Sequence, residues 1–522
     1  MNRTTLSLIA AATALAAVTG VASMTGDSGS DADAGAGTTV ATRRPVERSS
    51  LVCPAPTSSE LGETTYTAYT PSGGGAGDKG TAALLPAHPT DTGGAPDGDD
   101  ADRDEKRDAK KGGTGASGPG DVLTGEPVVP LKTPGTPVTD TTSRSDAPAL
   151  VGVADGALAP GWTVQQTTTV SAGDGRGLLG ASCVAPGTDF WFPGASTAGD
   201  RQDYVHLTNP DAGQAVVDLE LYGEDGRLEA PSGESINIPP HSTKAVLLST
   251  LISKPTINVT LHAAVRSGRV GASVQAVDAN IGSDWLPAAA PPATAAVLPG
   301  IPKDATSVRL VAYATGSGDA DVKIQLSGPS GTLTPAGHES LSVKSRMTTS
   351  VDLGDLTKGE PGSLVLTPQG RASAPFVAAL RVTRGKGGQQ ETAFIPATAA
   401  IDSRGTVADN RAKGSTLSLT APGESATVRV TSSAGSEGGT PASQQVTVKA
   451  GTTLALTPPR PSGAKGPYAV TVERRGGGPV HASRQLEVES DDGPMFTIQG
   501  LPDDRGTVAV PRGHQDLSLL ND

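Results

Sequence analysis

The sequence predicts an all-β protein of tandem immunoglobulin-like β-sandwich modules, with an N-terminal hydrophobic signal or anchor and a disordered insertion. Three observations carry this expectation. Gly and Pro number 67 and 42, whereas aromatic residues make up 3 % of the chain. Both residue types favour turns and weaken helices, so many short strands fit better than helices. Apolar and polar residues alternate over short stretches, and one such pattern returns at a constant interval in the C-terminal two-thirds.

The N-terminus sets the compartment. Arg3 precedes an apolar run from Leu6 to Ala22, and Asp27, Asp31 and Asp33 follow it. A positive flank before the run and acids after it orient the start of the chain inward. Gly20 and Ala22 have the small-residue spacing of a signal-peptidase site. Residues 1–24 are therefore expected to be a signal peptide or, uncleaved, an N-terminal membrane anchor, because the run lies at the lower edge of what spans a bilayer. Residues 25–44 read as a flexible tether. The expected location is extracytoplasmic, secreted or held to the outer face of the cytoplasmic membrane by residues 6–22. Thiols oxidise there, so the two cysteines, Cys53 and Cys183, are expected to form a disulfide.

The modules follow from the repeats. Residues 45–70 are β-prone. Residues 71–147 offer little to bury, with Gly73-Gly74-Gly75, the charge run Asp97–Lys111 and the Thr/Pro-rich stretch Leu123–Thr142, and read as a disordered insertion. Farther on, Val217–Leu228 lines up without gaps on Val322–Leu333, an interval of 105, and Glu234–Ile238 falls on Glu339–Val343. A fainter third copy puts Val446 and Val448 opposite Ile236 and Ile238. Within a unit Val217, Leu219 and Leu221 alternate with Asp218, Glu220 and Tyr222, the period-two pattern of a half-buried strand. Gly223–Gly226 and Gly328–Gly331 are turns. Pro287, Pro291 and Pro292 make the Ala-rich stretch after Leu286 a linker. Three modules are expected, at 45–290 with the insertion 71–147 inside it, at 296–402 and at 405–515.

Leu51-Val-Cys-Pro54, Cys183-Val-Ala-Pro186, Phe190-Trp-Phe-Pro-Gly194, Leu207-Thr-Asn-Pro210, Leu221–Gly226 and Gly268-Arg-Val270 together resemble the uncharacterised secreted or membrane-anchored proteins of actinobacteria, a domain of unknown function. The resemblance spans roughly 45–515. It implies export and an actinobacterial origin, and carries over no catalytic residue.

The search for chemistry returns little. A net charge of −13, with no Lys/Arg-dense stretch carrying interleaved aromatics, argues against nucleic acid as a partner. Gly175, Gly177 and Gly180 match a dinucleotide-binding spacing, but Cys183–Gly187 follows where a helix must start. The seven histidines show no pair at helical ligand spacing, and the acids from Asp97 lack the Glu that closes a calcium loop. No catalytic, cofactor-binding or metal-binding residue is expected, and no cofactor. Phe190, Trp191 and Phe192 form the densest aromatic cluster. They are the candidate ligand-binding residues, although packing in a core is the commoner role of such residues. The expected function is that of a non-catalytic extracytoplasmic scaffold or adhesion-type protein of the cell envelope, with an envelope glycan or another envelope protein as partner. A carbohydrate- or protein-binding module centred on Trp191 is the alternative. An envelope glycan hydrolase using Glu224 and Asp225 comes third.

Overall fold

The computed structural model describes residues 42–74, 79–90, 123, 125–173, 175–370, 373–490 and 495–510. The expected signal or anchor, residues 1–24, lies outside the described residues, as does the tether up to residue 41; the tether's last residues enter a strand, Thr42–Pro45.

Between Arg44 and Val508 the described residues form antiparallel sheets that follow one plan four times. In chain order the first repeat has strands Arg48–Cys53, Gly62–Tyr69, Ala82–Pro86, Val128–Leu131, Val138–Thr142, Leu150–Asp155, Thr163–Val170 and Gly177–Ser182. The second has Asp189–Ala195, Arg201–Thr208, Ala215–Gly223, Ile236–Ile238, Ser242–Leu247, Val259–Ser267, Gly271–Asp278 and Gly282–Leu286. The third has Ala296–Ile301, Ala305–Ala314, Ala320–Ser327, Ser340–Val343, Thr348–Asp352, Gly362–Pro368, Phe376–Arg384 and Glu391–Pro396. The fourth has Arg404–Asn410, Ser415–Ala421, Ala426–Gly435, Ala442–Val448, Thr452–Leu456, Tyr468–Gly477, His481–Val488 and Met495–Gly500. In every repeat one sheet runs first-sixth-third-fourth and the other eighth-seventh-second-fifth.

Each repeat is a sandwich because its two sheets turn apolar residues toward one another. In the third, Leu298, Ile324 and Leu366 of one sheet meet Val308, Leu310 and Leu380 of the other in a single buried cluster. The second, first and fourth repeats have equivalent clusters around Leu219 and Val274, around Leu84 and Val164, and around Val428 and Leu419. Alternation supplies the inward face of every strand. The first strands of the last three sandwiches also break register, between Pro193 and Ala195, Leu298 and Ile301, and Val407 and Asn410. Such a bulge re-aims the strand where it leaves its sheet.

The sandwiches lock to one another in a closed cycle. Each eighth strand touches the eighth strand of the next, and that of the fourth touches that of the first. Each passes large side chains to the preceding sandwich. Trp285 of the second packs on Val170 and Leu179 of the first, Phe394 of the third enters the core of the second, and Phe496 and Ile498 of the fourth enter the core of the third. Leu178 of the first closes the cycle on Leu486 and Met495 of the fourth.

Two expectations are corrected here. Residues 45–290, read as one module, contain two sandwiches, and the insertion 71–147, read as disordered, supplies three strands of the first of them. Ala82–Pro86 and Val128–Leu131 pair with each other, and Val138–Thr142 pairs with Gly62–Tyr69. His88-Pro89 adds a short parallel pairing on Ser242-Thr243 of the second sandwich. These strands are short, and Ala82, Leu84, Val129 and Leu131 anchor two of them in the core of the first sandwich. The charge run Asp97–Lys111 lies outside the described residues.

Candidate functional site

The aromatic cluster lies in the first strand of the second sandwich, which is covered on both faces. Phe190 and Phe192 point into the core of that sandwich. Trp191 points the other way, against Tyr313 and Val377 of the third. Its ring stacks on His262 at 3.7 Å with 6° between planes, and on Tyr313 at 5.3 Å. Phe192 is fully buried, and Phe190 and Trp191 are each 9 % exposed. The neighbouring sandwich occupies the outward face of this strand, so all three candidate ligand-binding residues are packed.

A row of polar groups rims this contact. Trp191, His262 and Glu220 are register neighbours on adjacent strands. The Trp191 ring nitrogen donates to Asp189 Oδ2 at 3.3 Å. His262 Nε2 lies 2.6 Å from Asp189 Oδ1 and its Nδ1 lies 3.0 Å from Glu220 Oε2. The Tyr222 hydroxyl donates to Glu220 Oε2 at 2.8 Å. Burial raises the Glu220 carboxyl, but the hydrogen bonds from His262 and Tyr222 outweigh it and hold the group below the ordinary glutamate range. Both imidazole nitrogens are committed to carboxylates, so neither is free to face a substrate. Glu224 and Asp225 stand exposed in the turn between Ala215–Gly223 and Gly226-Arg227.

A second polar cluster lies where the eighth strands meet, and sequence reasoning missed it. Asp284 of the second sandwich is 1 % exposed. Its Oδ1 accepts the Gly180 N–H of the first sandwich at 2.9 Å and the Trp285 N–H at 2.8 Å, and the Thr497 hydroxyl of the fourth lies 2.9 Å from Oδ2. Burial pushes this carboxyl well above the usual aspartate range, and the charge of Glu391 adds to the rise. Glu391 of the third sandwich is itself raised to about 7 by burial, against the pull of Arg176, whose guanidinium lies 2.6 Å from Oε1. That contact is close but poorly aligned, since neither Glu391 oxygen receives a directed hydrogen bond.

The same junction accounts for two of the glycines in the spacing at 175, 177 and 180, Gly177 against Ser283 of the second sandwich and Gly180. A Cβ on Gly180 would stand 1.7 Å from Gln499 Nε2 and 2.6 Å from Thr497 of the fourth sandwich. Glycine there lets the two strands approach closely.

Cys53 and Cys183 form a disulfide with Cα atoms 4.4 Å apart, as expected. It fastens the end of the first strand of the first sandwich to the chain leaving its eighth, next to the paired Val52 and Val184. Among the described residues no group of three or more His, Cys, Asp or Glu is placed to hold a metal ion.

No curated protein matches the chain. A family model described as a family of unknown function, DUF5719, matches residues 138–459, from the fifth strand of the first sandwich to just beyond the fifth strand of the fourth. With most of its length matched, and with all of the second and third sandwiches inside the matched span, the chain belongs to the DUF5719 family of unknown function.

Proposed function

We propose that the chain is a non-catalytic scaffold displayed outside the cytoplasm in the envelope of an actinobacterium, and that its four sandwiches are modules of immunoglobulin-like kind. The observation that carries this reading is the closed packing of the eighth strands. Every sandwich is braced by two others, and the largest buried side chains and best-connected buried acid hold the parts together. A stiff body of this sort suits the presentation of surfaces to an envelope glycan or another envelope protein. The disulfide supports an oxidising location. The covered ring of Trp191 weighs against a sugar platform at that residue.

Crosslinking and co-purification of the native protein, from cell envelope and culture medium in parallel, test the proposal. The expected result is recovery in one of those fractions, with the cysteines oxidised and a reproducible envelope partner. Recovery from the cytoplasm with reduced cysteines would overturn it, as would turnover of an envelope glycan that Glu224→Gln abolishes.

A further inference from the structure

The junction of the second and third sandwiches holds a cleft of about 260 Å³ in which three guanidinium groups converge. Arg201 opens the second strand of the second sandwich and lies over the Phe394 ring of the third at 5.1 Å. Arg309 and Arg381 belong to the third and are directly opposite one another on paired strands. Like charges so placed repel.

Three of the acids around the cleft are engaged by other groups, and a fourth is exposed. Asp203 takes two hydrogen bonds from Arg201, each 2.8 Å, and one from the Ser196 N–H. Asp352 takes Arg309 at 2.8 Å and the Gly354 N–H. Asp278 accepts the backbone N–H groups of Asn280 and Ile281, and Asp200 stands exposed at the rim. Arg381 alone of the three arginines makes no ion pair and no side-chain hydrogen bond among the described residues.

Its electrostatics agree. Burial pushes Arg381 down to about 10; repulsion from Arg201 and Arg309 follows as the next cause, and the attraction of Asp278 and Asp203 is smaller. The carboxylates nearby leave the cationic charge under-compensated. A natural protein keeps an arginine in such a place at a cost to stability, which a ligand oxyanion would offset through a forked, charge-assisted contact.

We propose that this cleft binds an oxyanion, a phosphate or carboxylate group carried on a ligand of about monosaccharide size, with Arg381 as its principal contact and Arg201 and Arg309 setting the field. The site is independent of the scaffold reading and would stand if that reading failed.

Thermal melting of the oxidised full chain tests it, in inorganic phosphate, glucose 6-phosphate or glucuronate, against chloride at matched ionic strength. At least one of the three is expected to raise the melting temperature in a concentration-dependent way. Response to the phosphates assigns a phosphate ligand, and response to glucuronate alone assigns a carboxylate. Arg381→Gln is expected to weaken that response by roughly tenfold or more in affinity, the loss of one charge-assisted contact. Without ligand it is expected to melt no lower than the wild type, because it removes a repelled cation. Wild-type melting indifferent to all three probes, an unchanged response in Arg381→Gln, or a ligand-free Arg381→Gln that melts several degrees lower would overturn the proposal, the last by assigning Arg381 a structural role.

Discussion

Asp284 of the second sandwich accepts the backbone N–H of Gly180 in the first, and the Thr497 hydroxyl of the fourth reaches its other oxygen, so one carboxyl group joins three of the four sandwiches. Burial raises its pKa, so the folded protein holds this proton more tightly than the unfolded chain does. Stability from such a group is full below the unfolded value and falls as pH rises. Asn preserves shape and carries no charge for burial to penalise, so Asp284→Asn is expected to be at least as stable as wild type at neutral pH. Asp284→Ala strips partners from buried donors and is expected to cost about 2–4 kcal/mol. Equilibrium denaturation of both variants checks this, and equal losses would deny Asp284 its joining role.

Glu391 gives the junction a pH dependence of the same sign. Its folded pKa stands near 7 against 4.5 for the free side chain. The contribution is therefore present below about 4.5 and lost as pH rises through 7, a decline of at most about 3 kcal/mol. Wild-type stability measured from pH 5 to 8 is expected to fall along this slope, and Glu391→Gln to flatten it. A parallel slope in the variant would place the titration elsewhere.

These two acids show what the sequence conceals. The alternation of Val217, Leu219 and Leu221 and the interval to Val322 are local or periodic, so strands and repeated units are legible in them. The sandwich before Cys183 escapes that reading because residues 87–127 lengthen its third-to-fourth connection and displace it from the interval. Asp284, Thr497 and Gly180 meet only through packing between sandwiches, as do Arg201 and Arg381, and no spacing announces them. Phe190-Trp191-Phe192 was legible as important but ambiguous in role. A strand covered on one face leaves its alternate aromatics free, and a strand covered on both does not.

Trp191 is accordingly expected to matter for stability. Trp191→Ala removes the ring that joins His262 to Tyr313 and opens a cavity between the second and third sandwiches, at a cost of about 3–5 kcal/mol. Trp191→Phe should recover part of it. Chemical denaturation is the measurement, and a loss under about 1 kcal/mol would mean that the ring is free enough to serve a ligand.

The disulfide spans a sequence separation of 130 and ties the two ends of the first sandwich. On the chain-entropy model a loop of that length contributes about 5 kcal/mol by restricting the unfolded state. Replacing both cysteines by Ser is expected to lower stability by about 3–5 kcal/mol, and reductant to do the same to the wild type. Denaturation curves with and without reductant check it. Coincident curves would show that the sandwich holds its ends together unaided.

Arg484 offers the opposite kind of test, since its removal is expected to help. It is fully buried, and none of its three side-chain nitrogens has a hydrogen-bond partner among the described residues. Burial pushes it down to about 10, which leaves it charged at neutral pH. Its strand neighbours are Leu417 and Gln499, and the matching places in the second and third sandwiches hold Val274, opposite Val205 and Leu286, and Leu380, opposite Leu310 and Ile395. The fold thus accommodates an apolar side chain at that point twice over, and the arginine carries a desolvation cost that no partner repays. Arg484→Met keeps the length of the side chain and discards the charge, so it is expected to raise stability by about 1–4 kcal/mol. Denaturation at neutral pH measures the gain. A loss instead would mean that Asp409 and Asp284, whose charges favour the cation, compensate it more fully than their separation from hydrogen-bonding range implies.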